Sequence, residues 1–308
     1  MTQPRRIRDG ATFLITRRTV LRHCLFAPDP RITQLFVFAL AWCAQMFGVQ
    51  LHAAVLMSTH EHLVVTDVHG VLPLFLQMHH RLVALATKVV RKWDGQVWDH
   101  EPPSVVELLT PQAVIHAIAY GIVNPVAAGL VARACDWPGM ITLVEQLAGG
   151  MLEADRPPFF FSAANPQWGA RASVTLTLPP MLQDDYTPES FRAAVAAEVE
   201  NLERAAHAAQ REKEIGFAGP EYCAQVSPNH RMTSAEPIRD RNPVLAAGRG
   251  QTAVRLEAIR VLRAFRAAYR EALDRWRTGY RDVVFPAGTW LMVRLHAASV
   301  ARELAAAA

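Results

Sequence analysis

Residues Leu56–Asp67, LMSTHEHLVVTD, contain the pattern that decides the fold. Alternating apolar runs on either side of the short turn STH predict a hairpin of two strands, over residues 49–57 and 60–66. Because strand side chains alternate between the two faces, His60 and His62 lie on one face, which we expect to be the open face of the sheet. Two histidines placed in this way are more commonly surface or partly buried polar residues than metal ligands, so the pair alone does not indicate a function.

The elements predicted around this hairpin have the order of a ferredoxin-like fold. A first strand is predicted over residues 12–20, TFLITRRTV, and a helix is predicted to begin at Pro30 and to end at Gly48. Further helices are predicted over residues 71–92 and about 110–123, with a brief strand between them. The order β-α-β-β-α-β-α predicts an α+β fold: a ferredoxin-like antiparallel sheet with helices on one face, and one added helix.

The composition changes near residue 150, where we place a boundary between a domain of residues 1–150 and an extension of residues 151–308. Charged helices are predicted over residues 187–214 and 251–277, so the extension is expected to be mostly helical. Arginines recur along the second of these helices, at Arg255, Arg260, Arg263, Arg266, Arg270, Arg275 and Arg277. They indicate either a stripe that contacts DNA or, more simply, the solvated face of an amphipathic helix.

Composition limits the classes of function. The 308 residues include 32 Lys+Arg and 28 Asp+Glu, and the net charge of +4 permits a nucleic-acid partner without requiring one. Four scattered cysteines have no zinc-ribbon spacing, and no signal peptide is recognised, which favours a cytoplasmic location. The uncharged residues 32–57 are long enough to cross a membrane, but their pattern changes from helical to alternating at Gly48. A buried helix followed by a strand explains this change better.

A second informative stretch, AYGIVNPVAAGLV, lies about sixty residues after the histidines. Tyr120 and Asn124 are separated by one helical turn, so their side chains share one face of the predicted helix. A tyrosine packed at a helix end and an asparagine that caps the helix before Pro125 would produce the same pattern. The pair becomes informative only in combination with the two histidines.

Together, LMSTHEHLVV and AYGIVNPVAAGLVARACDWPG resemble the single-tyrosine HUH transposases of the IS200-like group, especially the REP-associated tyrosine transposases. The resemblance covers about residues 10–150. It implies that His60 and His62 are metal ligands and that the side-chain oxygen of Asn124 completes the metal site. It also implies that Tyr120 is the nucleophile and that the metal is Mg²⁺ or Mn²⁺.

The resemblance further implies a DNA strand transferase that cleaves single-stranded DNA through a covalent 5′-phosphotyrosine. The implied partner is single-stranded or hairpin DNA, bound by a monomer or homodimer that is associated with the nucleoid and not with a membrane. Arg17, Arg18 and Arg22 could contact phosphates, although a solvated basic face would have the same composition. Trp93 and Trp98 could stack on bases, but packing is the preferred interpretation.

Several positions depart from the family pattern. Glu61 replaces a hydrophobic residue between the histidines, and it is expected to face the core, where a carboxylate is costly unless it has a partner or lies at the sheet rim. Ser58–Thr59 replace Pro-Asn, and Ala127 replaces an arginine. The adjacent His79 and His80 are about 100° apart on their helix, which is poor chelating geometry, so they are predicted to be structural or exposed.

Three functions are compatible with these residues. The first is the strand transferase just described, and the alternative is a domesticated DNA-hairpin-binding protein that has lost cleavage. The third, a hydrolase in which His60 and His62 bind a metal that activates water, has no use for Tyr120. No P-loop, GxSxG or Rossmann motif supports a different class of enzyme.

Overall fold

The structure is a computed structural model and describes residues 4–233 and 243–302. The first part of the chain contains β1 (Ala11–Arg18), α1 (Pro30–Phe47), β2 (Gln50–Met57), β3 (His60–Asp67), α2 (Leu72–Arg91), β4 (Ser104–Leu108) and α3 (Pro111–Ala127). The second part contains β5 (Met151–Asp155), β6 (Arg171–Thr175), α4 (Pro188–Glu212), α5 (Pro220–Gln225), β7 (Leu245–Ala246), α6 (Thr252–Arg277), β8 (Val284–Phe285), α7 (Leu291–His296) and β9 (Ser299–Val300). The predicted order β-α-β-β-α-β-α and the α+β class are confirmed.

One five-stranded sheet, in the order β2-β3-β1-β4-β7, organises the first part of the chain. Its neighbouring strands are antiparallel except for β4 and β7, which are parallel. The register of β1 and β3 places Thr16 opposite His62 and Arg18 opposite His60. Residues directly opposite one another in a sheet point to the same face, so these four side chains lie on one face at the same end of the sheet.

Helices cover both faces of this sheet. Helices α1 and α2 pack on the face that carries Ile15, Leu63 and Val65. Helices α3 and α4 pack on the opposite face, which carries Val55 and Val64. The predicted open face for the histidines is therefore wrong, because the apolar side chains of α3 cover most of it.

Local signals explain where α1 and α3 begin and end. Asp29 accepts a hydrogen bond from the Arg31 backbone N–H at 2.8 Å, Pro30 occupies the first turn, and Gly48 ends α1 with a φ of 64°. Helix α3 continues through Pro125 to Ala127, beyond the predicted end near residue 123. Asn124 therefore lies within the last turn and does not occupy the C-cap position.

The second part of the chain is helical but also contributes strands. The two predicted charged helices are found as α4 and α6, and α4 packs along α3. The short strand β7 joins the edge of the main sheet, and the hairpin of β5 and β6 contacts α1. Within the described ranges, no helix combines the length and the apolar character that a membrane span requires.

Candidate active site

The two predicted histidine ligands lie at the start of β3. His62 is buried, His60 is partly exposed, and their ring centroids are 4.8 Å apart at nearly a right angle. The Nδ1 atoms contact threonine hydroxyls: Thr16 Oγ1 lies 2.9 Å from His62, and Thr59 Oγ1 lies 3.0 Å from His60. Each ring is thus held through Nδ1, which orients its Nε2 atom.

Helix α3 brings Tyr120 and Asn124 to the same place. It crosses β3 closely: a Cβ atom built on Gly121 would lie 3.9 Å from the Cβ of His62. The Tyr120 ring packs edge-on against His62 with a centroid distance of 5.6 Å, and Tyr120 is 40% exposed. Asn124 Nδ2 lies 3.2 Å from His62 Nε2. The residues predicted from two distant motifs therefore meet around one imidazole.

The donor atoms at His62 fit a divalent cation. Asn124 donates to Nε2, so Nε2 carries the lone pair and the Nδ1 proton is donated to Thr16, which is the tautomer that metal-binding histidines use. Burial, with smaller effects from His60 and Arg18, holds the pKa of His62 well below its ordinary value, so the ring is neutral at pH 7. Rotation of the Asn124 amide would present Oδ1 to a cation in place of Nδ2.

A second polar cluster lies on the opposite face of β3, and the motifs did not predict it. Glu61, His79 and His80 are fully or almost fully buried, and possible ligand atoms of all three lie within 4.8 Å of one another. Glu61 Oε2 accepts from His79 Nε2 at 3.0 Å, and Oε1 accepts from His80 Nε2 at 2.6 Å. These three groups could by type hold a metal ion.

The hydrogen bond from Arg17 shows how this cluster is protonated. Arg17 Nη1 lies 2.7 Å from His80 Nδ1. A guanidinium can only donate, so His80 Nδ1 accepts and the ring proton lies on Nε2, where it is donated to Glu61. An Nε2 atom that carries a proton has no lone pair for a metal. The arrangement is therefore a buried hydrogen-bond network, in contrast to the arrangement around His62.

This network explains the carboxylate between the two histidines. Burial alone would raise the pKa of Glu61, but the contacts with His79 and His80 hold that pKa below its usual range. Burial also lowers the pKa of His80 to about 4. His79 and His80 are structural and not exposed, and they converge because each bonds a different oxygen of one carboxylate. A buried carboxylate that needs partners was the signal in the sequence that could have indicated them.

The three arginines predicted to contact DNA are placed differently. Arg17 is directed inward, with its guanidinium 5.2 Å from the ring centroid of the buried Trp98. Arg18 is exposed, and its position opposite His60 in the sheet places it on the histidine face. Arg22 follows in the tight turn after β1, with a φ of 59°. Arg18 and Arg22 are thus better placed than Arg17 to contact a phosphate near the histidines.

Comparisons with known proteins give two similar solved structures, whereas no family model and no curated protein sequence matches the chain. One is a REP-associated tyrosine transposase bound to a REP hairpin; it has 19% identity and a TM-score of 0.38, over 47% of this chain and 85% of that one. The other, from Deinococcus radiodurans R1, is described as a "putative transposase" and has 20% identity and a TM-score of 0.27, over 34% and 85%. Both descriptions name the class of protein that the sequence motifs resemble. Function is therefore inferred from the residues of the site.

Proposed function

We propose that this protein is a metal-dependent DNA strand transferase of the transposase type that uses Tyr120 as its nucleophile. The observation that carries the proposal is the position of an exposed phenol and an amide beside His62, whose Nε2 holds a lone pair. Two motifs separated by about sixty residues have no structural need to meet in this way. Their meeting supports a shared chemical role.

The residues of the site would divide the reaction among them. His60, His62 and Asn124 would hold Mg²⁺ or Mn²⁺, which when bound polarises a phosphate and offsets its charge. Tyr120 Oη would bond to phosphorus as the bond from phosphorus to the 3′ oxygen breaks. The phenol releases its proton, and the departing oxygen takes one up and becomes a 3′-hydroxyl. The phosphotyrosine retains the energy of the phosphodiester, so a 3′-hydroxyl can reverse the step and join strands without ATP.

The proposed substrate is single-stranded DNA, or a single strand beside a hairpin, as the motif resemblance implies. Arg18 would contact the backbone next to the scissile phosphate, because it lies opposite His60 on the same face. The helix α6 carries several exposed arginines that could extend this contact, although the same residues also serve as a solvated helix face.

A denaturing gel tests the proposal. A pool of oligonucleotides with a hairpin and randomised flanks is labelled at either the 3′ or the 5′ end and incubated with the protein and Mn²⁺. We expect the 3′ label to migrate with the protein, because the 5′-phosphate of that fragment is bonded to Tyr120, and the 5′ label to appear in a shortened strand. EDTA should abolish both products. A 5′ label on the protein, or an adduct that EDTA leaves unchanged, would contradict the proposed chemistry.

The second candidate is a hairpin-binding protein that does not cleave, and the replacement of a family arginine by Ala127 favours it. Nothing in the structure explains that replacement. Glu61, by contrast, has two partners and does not disrupt the histidine site. Binding of the hairpin pool that EDTA does not affect, with no adduct in Mg²⁺ or Mn²⁺, would favour this second candidate.

A further inference from the structure

The proposed ligands of the cation carry no charge of their own. His60 and His62 are imidazoles and Asn124 is an amide, so a bound divalent cation would keep its full charge. Arg18 lies on the same face, opposite His60, and adds a further positive charge. Most protein sites for Mg²⁺ or Mn²⁺ include at least one carboxylate, so a source of negative charge is needed nearby.

Glu61 is a buried carboxylate between the two histidines in the chain, on the opposite face of β3. It is completely inaccessible to solvent, and its two oxygens accept from His79 and His80. Because His80 accepts a hydrogen bond from Arg17, it donates its Nε2 proton to Glu61 and is itself neutral. The carboxylate is therefore ionised, and in a buried setting its field is weakly screened.

We propose that Glu61 is the counter-charge of the cation site, acting through the strand without contacting the ion, while His79 and His80 hold it in place. The inference rests on the metal site of the proposed function. It gives the departure of residue 61 from a hydrophobic side chain a role in binding the cation. Consistent with this role, the charge of Glu61 raises the pKa of His62, whereas the charges of His60 and Arg18 lower it. A group that favours a proton on His62 also favours a cation there.

The substitution Glu61→Gln separates charge from shape. His79 Nδ1 is buried and has no hydrogen-bond partner, so this ring can carry its proton on Nδ1 and accept at Nε2. The glutamine amide would then donate to His79 while its oxygen still accepts from His80. Glu61→Gln thus keeps both hydrogen bonds and removes only the charge. Glu61→Asp has the opposite character, because it keeps the charge but shortens the side chain by one methylene.

The experiment is a Mn²⁺ titration without DNA, followed by the electron paramagnetic resonance signal of free Mn²⁺. We expect Glu61→Gln to weaken Mn²⁺ binding about tenfold or more, and Glu61→Asp to weaken it less. Asp67→Asn is the matched control, since Asp67 is a buried carboxylate on the same strand and the same face. It lies six residues away, about 20 Å along the strand, so Mn²⁺ binding should stay within about twofold of native.

The outcomes distinguish this inference from the proposed function. Native affinity in Glu61→Gln, or weaker binding in Glu61→Asp than in Glu61→Gln, overturns the counter-charge role, because a purely structural role predicts that the isosteric glutamine is tolerated better. If His62→Ala abolishes binding while Glu61→Gln keeps it, only this inference fails. If the native protein binds no Mn²⁺, both the inference and the proposed metal site fail. Thermal unfolding of each variant confirms that it is folded.

Discussion

Tyr120→Phe is expected to abolish covalent capture of DNA, by at least about a thousandfold in rate, while DNA binding stays close to native. The substitution removes a single oxygen from a side chain that is 40% exposed, so it leaves no buried polar group without a partner. The ring keeps its edge-on packing against His62. The loss of adduct would therefore report the loss of the nucleophile and not a change of fold.

The measurement uses the 3′-labelled pool on a denaturing gel for the adduct and fluorescence anisotropy for binding. Tyr222→Phe is the matched control, because Tyr222 is 55% exposed and lies outside the site. That control should form the adduct at the native rate. A DNA adduct that persists in Tyr120→Phe would remove Tyr120 from its role, and loss of DNA binding together with the adduct would indicate that the substitution acts on recognition.

His62→Ala is expected to abolish Mn²⁺ binding and adduct formation together, by about a hundredfold or more. His62 is the residue at which the site converges, since Thr16, Tyr120 and Asn124 all contact its ring. Both effects have one cause, so they should be lost in parallel. Isothermal titration with Mn²⁺ and the gel assay measure them separately.

Two further variants define the size of this effect. Thr16→Val removes the hydroxyl that orients Nδ1 of His62 and should weaken Mn²⁺ binding by about ten- to a hundredfold, as for other groups that support metal ligands. His100→Ala removes a histidine whose side chain is 85% exposed and should have no effect. If His62→Ala binds Mn²⁺ with native affinity, the cation binds elsewhere and the site described here is not its location.

The fold of the first part of the chain could be predicted because its periodicities are strong. The alternation from Gln50 to Asp67 and the signals at Pro30 and Gly48 are local, and each acts within a few residues. The face on which α3 lies is not local information. It depends on how the apolar side chains of α3 and α4 pack together, which no alternation pattern in β3 reveals.

The second part of the chain was harder to predict for a related reason. Strand β7 has two residues and exists because the edge of β4 accepts it, and the hairpin of β5 and β6 is stabilised by its contact with α1. Such short strands have little intrinsic preference and form through tertiary contacts. The assignment of residues 1–150 and 151–308 to separate domains stays a prediction.

In the site, the sequence indicated which residues meet but not how they are supported. His60, His62, Tyr120 and Asn124 stood out through two motifs. The threonine hydroxyls that orient the imidazoles and the partners of Glu61 come from other strands and from α2, at positions that no spacing rule connects. The alternation of β3 did place Glu61 correctly on the face opposite the histidines.

The location of the cation is the most direct test, because the protein contains two separate histidine clusters on opposite faces of β3. Crystals soaked in Mn²⁺ and measured near the manganese absorption edge would show the ion as an anomalous peak. We predict one peak at coordination distance from the Nε2 atoms of His60 and His62, with Tyr120 beside it. A peak among Glu61, His79 and His80, with none at His60 and His62, would contradict the proposed site.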